Sequence, residues 1–441
     1  MSAGIARTDR IHRAAGLGAV LWVTVVGGRT RRAVGLATVL WVAASGTGPA
    51  SGSVAPAPAV GMSAERLERA GALLQAAVDR GVAGSAVGLI ARDGEIVFHR
   101  AFGEMEPGVP MTPDAISRMA SIGKTVTAAA VMMLYEEGRL RLDDPVSRFL
   151  PEYGEQRVRE ADASTGETRP VEPVRPVTIH DLLTHQAGLP SEYEPGGEAV
   201  QRLWDTARTV SEFAAGLAAL PLRFQPGSDF EYGPAYEVLA AVTERASGER
   251  FDDLLRAKVL APLGMDDTTF RVPSEKLSRY AGIYQVGADG ALALFRRRGE
   301  EERPTDFTPG GGGLRGTVTD FHRFAAMLLG EGELDGARLL SPLTVRLMTR
   351  DHTEGRFHSS TGDWGWGLGM AVRTRVLRDG PGSVGSYGWN GGTGTLYLVD
   401  PTERLIVVVF VPSQPRTPGI GALRDDFVTA AYHAIVESYA P

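Results

Sequence analysis

The sequence predicts an α+β fold, in which one antiparallel sheet is built from both ends of the chain, helices flank it, and a mainly helical region is inserted between its two parts. Three observations support this fold class. Two apolar segments near the start are joined by Asp93-Gly94, which is typical of a hairpin turn. Two further apolar segments near the end flank Asp400-Pro401. Residues 125–265 consist mostly of helical patterns that are broken by polar loops.

The composition is that of a globular protein. The chain has 441 residues, of which 43% are hydrophobic and 22% are charged, so it can bury a substantial core. We predict one folded domain over residues 62–441. Its sheet region covers about 62–140 and 305–441, and its helical region covers about 141–304.

The N-terminal 44 residues have the features of an export signal. Arginines at positions 29, 31 and 32 precede the apolar run Ala33–Ala44, and small residues follow it. The apolar runs in this segment are shorter than the roughly 20 residues that span a bilayer. We therefore predict an exported protein, whether secreted, periplasmic or held at the cell envelope. The alternative is an uncleaved membrane anchor, and any membrane contact is expected through this segment alone.

Residues 45–61 are rich in proline, alanine, glycine and serine, and we predict a flexible linker there. If the signal is removed, cleavage is expected between about Ala44 and Ala57. The linker is followed by a helical pattern that stops at Gly81, then by the first hairpin. Two charged stretches, 154–176 and 285–307, are predicted to be solvated loops. A closing helix is expected over about 423–440.

Charge and residue usage exclude several functional classes. The formal net charge of −7 is dispersed, so no nucleic-acid partner is expected. The chain has no cysteine, which excludes disulfides, thiolate metal sites and a cysteine nucleophile. The eight histidines form no His-Glu-x-x-His motif, and we expect neither a metal site nor a cofactor. No Gly-x-Ser-x-Gly elbow occurs, so an α/β-hydrolase triad is disfavoured.

Lysine is rare in this chain, and one lysine has a conspicuous position. The three lysines are Lys124, Lys258 and Lys276, and the other basic residues are arginines. Ser121 and Lys124 are three positions apart at the start of a helical pattern, so both side chains lie on one face. An arginine cannot be deprotonated in a protein, whereas a partly desolvated lysine can accept a proton. The pair therefore indicates a serine activated by an amine.

A structural interpretation of the same residues is that Ser121 caps the helix and Lys124 is solvated in its first turn. A cation near a helix N-terminus is disfavoured by about 0.3–1 kcal/mol when exposed, which weakens that interpretation. The apolar run that follows Lys124 would bury the helix, so the Ser/Lys end is expected to open into a cleft.

The motifs around this pair resemble those of the serine β-lactamase-like family, which includes class C β-lactamases, D-amino-acid peptidases and family VIII carboxylesterases. The motifs are MASIGKTVTAAAVMMLYEEGRL, VTIHDLLTHQAGLP, PGSDFEYGPAYEVLAAVTERASG and YGWNGGTGTLYLVDP, in the order that the family has. The resemblance extends from about Ser63 to the end of the chain. It implies a β-lactamase/transpeptidase-like fold.

The resemblance also implies roles for individual residues. Ser121 is the acylated nucleophile, Lys124 is its proton partner, and Tyr232 moves a proton to the leaving group. The third motif of the family, Lys-Thr-Gly in class C β-lactamases, is Trp389-Asn390-Gly391 here, and it lies beside the substrate pocket. The backbone N–H groups of Ser121 and Gly392 form the oxyanion hole.

Two departures from the β-lactamase pattern affect the expected substrate. Pro234 stands where many members have asparagine, and it offers no side-chain amide and no N–H. Trp389 is neutral where class C enzymes have a cation that holds a substrate carboxylate. Both differences favour uncharged esters over β-lactams or peptides.

Two further motifs have structural interpretations. His185 matches a family position and is expected to be structural and hydrogen-bonded within the helical region. The segment PGGGGLRGTVTD lacks the ending of a phosphate-binding loop, so we predict a tight turn into a helix that Thr317 or Thr319 caps. Gly312, Gly313 and Arg315 of this segment are candidates for the border of the pocket.

The sequence thus predicts an exported serine hydrolase that cleaves small-molecule esters through a Ser121 acyl-enzyme intermediate. The alternative enzyme is a β-lactamase or a D-stereospecific peptidase or amidase, with an amide substrate. The alternative from another class is a catalytically silent binding or scaffold member of the fold.

Overall fold

The computed structural model describes residues 54–161, 168–194, 197–287, 289–300, 306–357, 359, 361–376 and 380–440. The predicted signal or anchor, residues 1–44, and most of the predicted linker lie outside the described residues. Among the helices that are described, none combines the length and the apolar character needed to cross a bilayer.

The structure contains sixteen strands and ten α-helices in its described part. The strands are β1 (Ser85–Arg92), β2 (Glu95–Glu106), β3 (Val109–Pro110), β4 (Ser117–Arg118), β5 (Val158–Ala161), β6 (Thr168–Val171), β7 (Ile283–Val286), β8 (Leu292–Arg296), β9 (Arg315–Gly316), β10 (Glu333–Leu334), β11 (Ala337–Arg338), β12 (Trp364–Trp366), β13 (Ala371–Arg373), β14 (Tyr387–Gly391), β15 (Thr395–Asp400) and β16 (Leu405–Phe410). The helices are α1 (Ala64–Asp79), α2 (Gly123–Glu136), α3 (Ile179–Leu183), α4 (Glu198–Thr206), α5 (Val210–Ala218), α6 (Ala235–Ser247), α7 (Phe251–Leu255), α8 (Val318–Leu329), α9 (Pro342–Met348) and α10 (Ile420–His433).

The main sheet has eight strands in the order β12-β13-β14-β15-β16-β1-β2-β3, and every neighbouring pair is antiparallel. The N-terminal strand β1 pairs directly with the C-terminal strand β16, with Val87 opposite Phe410. The prediction of one antiparallel sheet assembled from both chain ends is confirmed. The predicted turn is confirmed as well, because Asp93 and Gly94 both have positive φ, at 55° and 81°, as a two-residue hairpin of this type requires.

Helices cover both faces of the sheet, which explains why the central strand β16 is apolar at every position. Helices α1 and α10 pack together on one face, where Val407 and Val409 join their core. Helices α2 and α8 lie on the other side, where Ile406, Val408 and Phe410 belong to the larger core. Strand β16 is buried along its whole length, so it reads as a continuous hydrophobic run.

The two stretches that the sequence predicts to be solvated loops contain hairpins in their described parts. Strands β5 and β6 pair within the first stretch, and β7 and β8 pair at the start of the second. Val158 of β5 is buried in the larger core and forms a bridge with Leu222. Because charged residues surround Val158, the sequence contains no clear indication of this strand, although Val158 and Val171 of the hairpin both pack against the larger core.

The end of the predicted linker is folded rather than flexible. Residues Ala57–Val60 form a 3-10 helix, and Gly61 ends it with a φ of 65°. Ala57 and Val60 are buried, and the backbone N–H of Ala55 donates a hydrogen bond to Ile96 O. The folded part of the chain therefore begins earlier than residue 62. The proline and alanine content of residues 54–61 resembles that of a linker, but Ala57 and Val60 are buried in the core around α1 and α10.

Candidate active site

Ser121 lies in a short 3-10 helix, Ala120–Ile122, that leads directly into α2. The preceding residue, Ala120, has a φ of 50°, in the left-handed region that a non-glycine residue seldom adopts. Such strain persists only where the surroundings fix the backbone, and it is typical of functional sites. The structure therefore holds Ser121 at a sharp bend between β4 and α2.

The hairpin of β14 and β15 fixes that bend from the side. Thr395 Oγ1 donates a hydrogen bond to Met119 O (2.7 Å), and Thr393 Oγ1 donates one to Arg118 O (2.9 Å). A Cβ atom at Gly391 would lie 2.7 Å from Met119 O, so only glycine permits this close approach. The third motif thus contributes the strand against which the serine segment packs.

Lys124 is buried beside Ser121, with only 5% of its surface exposed. Its Nζ donates hydrogen bonds to Ser121 Oγ (3.3 Å) and to Gly311 O (2.8 Å). The same Nζ lies over the face of the Tyr232 ring, 4.8 Å from its centre. The predicted pairing of serine and lysine on one helical face is therefore present in the structure, and the lysine is not a solvated first-turn residue.

Tyr232 precedes α6 and lines the same cleft as Ser121, Lys124 and Gly392. Its Oη accepts a hydrogen bond from Trp389 Nε1 (3.1 Å). The cleft has a volume of about 330 Å³, and Gly392 lies exposed at its edge, in the turn between β14 and β15. The four residues expected to act on substrate are thus brought together from three separate parts of the chain.

The three residues of the third motif have different surroundings. Trp389 packs against Tyr232, with 5.5 Å between the ring centres. Gly391 is buried against the serine segment. Asn390 is exposed and, on the alternating strand β14, lines a separate cleft that is also bordered by Thr429 of α10. None of the three residues lines the cleft that contains Ser121, and Trp389 lines the same separate cleft as Asn390.

Glu237 of α6 is a member of the site that the sequence analysis missed. Its side chain is 2% exposed and lines the cleft, and its Oε1 accepts a hydrogen bond from the backbone N–H of Gly311 (2.9 Å). Gly311 therefore contacts Glu237 through its N–H and Lys124 through its carbonyl. Burial raises the pKa of Glu237, and the nearby Lys124 partly opposes that rise. The sequence did contain one indication of a functional role for Glu237, because it is the single charged residue in the apolar run AYEVLAAV.

The imidazole ring of His185 packs against the ring of Tyr232, with 4.6 Å between the two ring centres. His185 is buried and has a φ of 56°. Neither ring nitrogen has a hydrogen-bond partner among the residues that the structure describes, so the expected hydrogen bond is absent. Burial, together with the charge of Lys124, holds the pKa of His185 well below its usual range. A neutral imidazole packed among aromatic rings fits the predicted structural role.

The glycine-rich segment borders the site at one point. Gly312 lines the Ser121 cleft, whereas Gly313 and Arg315 line a neighbouring cleft. Thr317 caps α8 by accepting a hydrogen bond from the backbone N–H of Asp320 (3.0 Å), so the first of the two predicted caps is the observed one. Among the described residues, no group of three or more histidine, aspartate or glutamate side chains is arranged to hold a metal ion.

The chain is similar to known proteins over most of its length. A family model described as Beta-lactamase matches residues 70–430. Protein Rv1367c of Mycobacterium tuberculosis is 36% identical over 327 residues, which cover 71% of this chain and 81% of that protein. Esterase EstB of Burkholderia gladioli is 34% identical over 353 residues, which cover 74% of this chain and 84% of that protein.

A solved structure has the same fold. The structure of EstCE1, described as a hydrolase with promiscuous acyltransferase activity, superimposes with a TM-score of 0.70 at 26% sequence identity. The superposition covers 84% of this chain and 98% of that one. Together with the matched family, this places the chain in the beta-lactamase family, as a serine hydrolase with a β-lactamase/transpeptidase-like fold.

Proposed function

We propose that the protein hydrolyses carboxylic esters through an acyl-enzyme intermediate on Ser121. The observation that carries the proposal is the contact of a buried amine with a serine hydroxyl, 3.3 Å from Lys124 Nζ to Ser121 Oγ, in a cleft that Tyr232 also lines. Acyl transfer needs an activated hydroxyl, a group that protonates the leaving oxygen, and donors for the developing negative charge. This cleft offers a candidate for each of them.

In the acylation step, Ser121 Oγ attacks the ester carbonyl carbon and the hydroxyl proton passes to the amine of Lys124, which must be uncharged to accept it. The carbonyl oxygen becomes an oxyanion, which the backbone N–H groups of Ser121 and Gly392 are proposed to stabilise. The tetrahedral intermediate then loses its alcohol, whose oxygen takes a proton from Tyr232. Water then attacks the acyl-serine ester and gives a proton to the Tyr232 phenolate. The Ser121 oxygen takes back its proton from Lys124 as the carboxylic acid leaves.

Two contacts favour an ester over a β-lactam or a peptide. The neutral Trp389 Nε1 donates to Tyr232 Oη where class C β-lactamases have a lysine. Pro234 lines the cleft where many family members have an asparagine, so no side-chain amide is available there to bond a substrate amide. The name of esterase EstB supports esters in the same way, as substrates of a relative.

The test is to measure hydrolysis of 4-nitrophenyl butyrate and of a chromogenic cephalosporin by the same preparation. We expect turnover of the ester, no comparable turnover of the cephalosporin, and loss of ester turnover in Ser121→Ala. The family name supports the alternative of a β-lactamase or a D-stereospecific amidase, and faster hydrolysis of the cephalosporin would establish that alternative.

A fluorophosphonate probe separates an enzyme from a catalytically silent binding protein. We expect the probe to label the wild type at Ser121 and to leave Ser121→Ala unlabelled. Equal labelling of the two proteins, or no labelling of either, would contradict an activated serine at this position.

We also propose that the protein is exported and that its mature form begins at or before Ala57. This start follows from the packing of Ala57 and Val60 in the folded unit, because cleavage after them would remove part of the core. The intact mass of the protein recovered from the medium or the cell envelope tests both points. A mass that includes residues 1–44 would instead indicate a retained anchor.

A further inference from the structure

Arg424, near the start of α10, is bonded to the turn between β14 and β15 that carries the proposed oxyanion donor Gly392. Its Nη1 donates hydrogen bonds to Gly391 O (2.9 Å) and to Thr395 O (2.9 Å). Gly391 is the last residue of β14 and Thr395 is the first residue of β15, so one nitrogen joins both ends of the turn. Arg424 does not line the Ser121 cleft, and a role in the reaction would therefore be indirect.

The bond to Gly391 O acts on the same peptide group that contains the Gly392 N–H. A trans peptide is planar, so its C=O and N–H point in opposite directions and rotate together. Fixing Gly391 O therefore fixes the direction of the Gly392 N–H. Within the described part of the chain, this N–H donates to no other group, and Gly392 lines the Ser121 cleft. The donor is thus free for a substrate oxygen.

The peptide between Gly391 and Gly392 needs an external bond to hold its orientation. Glycine restricts φ and ψ less than any other residue does, and this peptide lies between two glycines. Glycine is required at 391, because a Cβ atom there would lie 2.7 Å from Met119 O. The bond within the turn, from the Gly394 N–H to Gly391 O, is 3.1 Å long. Arg424 supplies a second and shorter bond to the same carbonyl.

The positive charge of Arg424 also strengthens the donor. A hydrogen bond from a charged group is roughly twice as strong as a neutral one, and a bond to a peptide oxygen polarises the N–H of that peptide. Burial lowers the pKa of Arg424, and the charge of Asp425 opposes that shift, yet an arginine stays protonated in proteins. The Gly392 N–H is therefore a better donor to the oxyanion that forms during acyl transfer.

The second bond of Arg424 leads to the segment that contains the nucleophile. Thr395 accepts from Arg424 through its carbonyl, and its Oγ1 donates to Met119 O (2.7 Å). Met119 is two residues before Ser121, whose backbone N–H is the other proposed oxyanion donor. One guanidinium is thus connected to the backbone on both sides of the proposed oxyanion hole.

We propose that Arg424 is a positioning residue of the oxyanion hole, which orients and polarises the Gly391–Gly392 peptide without contacting the substrate. The inference rests on the proposed acyl-transfer function and adds to it a residue from the C-terminal helix, outside the motifs that identify the site. Removing an oxyanion-hole donor lowers kcat by about 10²- to 10³-fold, and loss of the group that supports such a donor is expected to have a smaller effect.

Arg424→Met removes both hydrogen bonds and keeps a long side chain. We expect it to lower kcat and kcat/KM for 4-nitrophenyl butyrate by the same factor, about 10- to 100-fold, because a transition-state interaction affects both equally. Arg424→Lys, whose ammonium still has donors for the two carbonyls, is expected to retain more activity. Arg66→Met is the control and is expected to keep wild-type kinetics. Arg66 Nη1 donates in the same way to His433 O (2.9 Å), at the other end of α10.

A thionoester distinguishes a weakened oxyanion hole from general damage to the fold. O-(4-nitrophenyl) thionobutyrate has the same leaving group, but sulfur replaces the carbonyl oxygen and is a weak hydrogen-bond acceptor. We expect Arg424→Met to reduce the ratio of kcat/KM for the oxygen ester to that for the thionoester by at least about fivefold. A preparation that is partly misfolded hydrolyses both esters more slowly by the same factor and leaves the ratio unchanged.

Two results would overturn the inference while leaving the esterase function intact. One is a kcat of Arg424→Met within about twofold of wild type, and the other is a lower kcat with an unchanged ratio of the two esters. If Arg424→Met does not fold, the ratio measured for Arg424→Gln, whose side chain is shorter than arginine, decides in the same way. If the wild type hydrolyses no ester, the proposed function fails, and this role of Arg424 fails with it.

Discussion

Lys124 contacts the serine hydroxyl, a backbone carbonyl and the face of Tyr232 from a buried position. An arginine placed there could not accept the serine proton, because a guanidinium stays protonated in proteins. We expect Lys124→Arg to lower kcat for ester hydrolysis by about 10²- to 10⁴-fold, the usual contribution of a positioned proton acceptor. Steady-state kinetics with 4-nitrophenyl butyrate measures the effect.

The chain provides a matched control for this substitution. Lys258 forms an ion pair with Glu137 away from the cleft, so Lys258→Arg makes the same chemical change with no expected effect on kcat. Wild-type activity in Lys124→Arg would show that no proton acceptor is needed at this position. Circular dichroism of both variants distinguishes loss of chemistry from loss of fold.

The backbone of Gly311 forms hydrogen bonds with two ionisable side chains of the site. It donates its N–H to Glu237 and accepts from Lys124, and a Cβ atom at this position would lie 2.4 Å from Glu237 Oε1. We therefore expect Gly311→Ala to displace the carboxylate or the loop and to lower kcat/KM by at least about tenfold, because small misplacements of catalytic groups are costly.

The neighbouring glycine gives the comparison for Gly311→Ala. A Cβ atom at Gly312 would be 3.5 Å from the nearest atom, which is an ordinary contact, so Gly312→Ala is expected to retain most activity. If Gly311→Ala were as active as Gly312→Ala, the contact between Glu237 and Gly311 would have no role in positioning Lys124. Ester kinetics and thermal unfolding of the two variants together make this comparison.

The residues of the site differ in how far the sequence could predict them. Ser121 and Lys124 are three positions apart, so the helical period alone brings their side chains together. Tyr232 could be selected only by the order of the family motifs. Glu237 and Gly311 meet across 74 residues, and a contact of that range follows from tertiary packing rather than from any local pattern.

At the scale of elements, α8 carries a buried carboxyl group near its N-terminus. Asp320 is 6% exposed, and its Oδ2 accepts hydrogen bonds from the backbone N–H of Asp267 (2.9 Å) and from Thr268 Oγ1 (2.8 Å). Burial outweighs these bonds and raises the pKa of Asp320 to about 6. Because the unfolded chain has an aspartate pKa of about 3.9, the native state binds this proton more tightly than the unfolded state does.

This difference gives stability a definite pH dependence. The stabilisation due to the Asp320 proton is present below about pH 4 and is lost as the pH rises through about 6, at a cost of up to about 3 kcal/mol. We expect Asp320→Asn, which keeps an acceptor oxygen, to lose this dependence, so that its free energy of unfolding relative to wild type increases between pH 4 and 7. Urea unfolding across that range measures it, and Asp426→Asn on the exposed side of α10 is the control.

Hairpins were the elements most readily predicted from the sequence, but only where apolar runs flank the turn residues. The β1–β2 and β15–β16 turns follow from turn residues that lie between apolar runs. Strands β5 to β8 were missed because charged residues surround them and few of their own side chains are buried. Strands β4 and β9 have two residues each, which is too few for any periodic signal in the sequence.

At the scale of the whole molecule, the pairing of β1 with β16 brings both ends of the folded unit together, and Arg92 lies at their junction. Arg92 is fully buried. Its Nη1 donates to the carbonyls of Val60 (3.0 Å) and Gly61 (3.1 Å), and its Nη2 bonds Glu403 (2.8 Å). The segment before α1 thus supplies neutral acceptors to a buried charge, while the turn before β16 supplies the counter-ion.

A comparison of two N-terminal truncations tests whether the segment before α1 is part of the fold. A chain that begins at Ser63 loses both carbonyl acceptors of Arg92, together with the burial of Ala57 and Val60. Because hydrogen bonds to charged groups contribute about 1.5–3 kcal/mol each, we expect this chain to be less stable than one that begins at Val54 by at least about 3 kcal/mol. Guanidinium unfolding of the two chains measures the difference. Equal unfolding midpoints would mean that water replaces both carbonyls at Arg92, and residues 54–62 would then be a linker, as their composition first indicated.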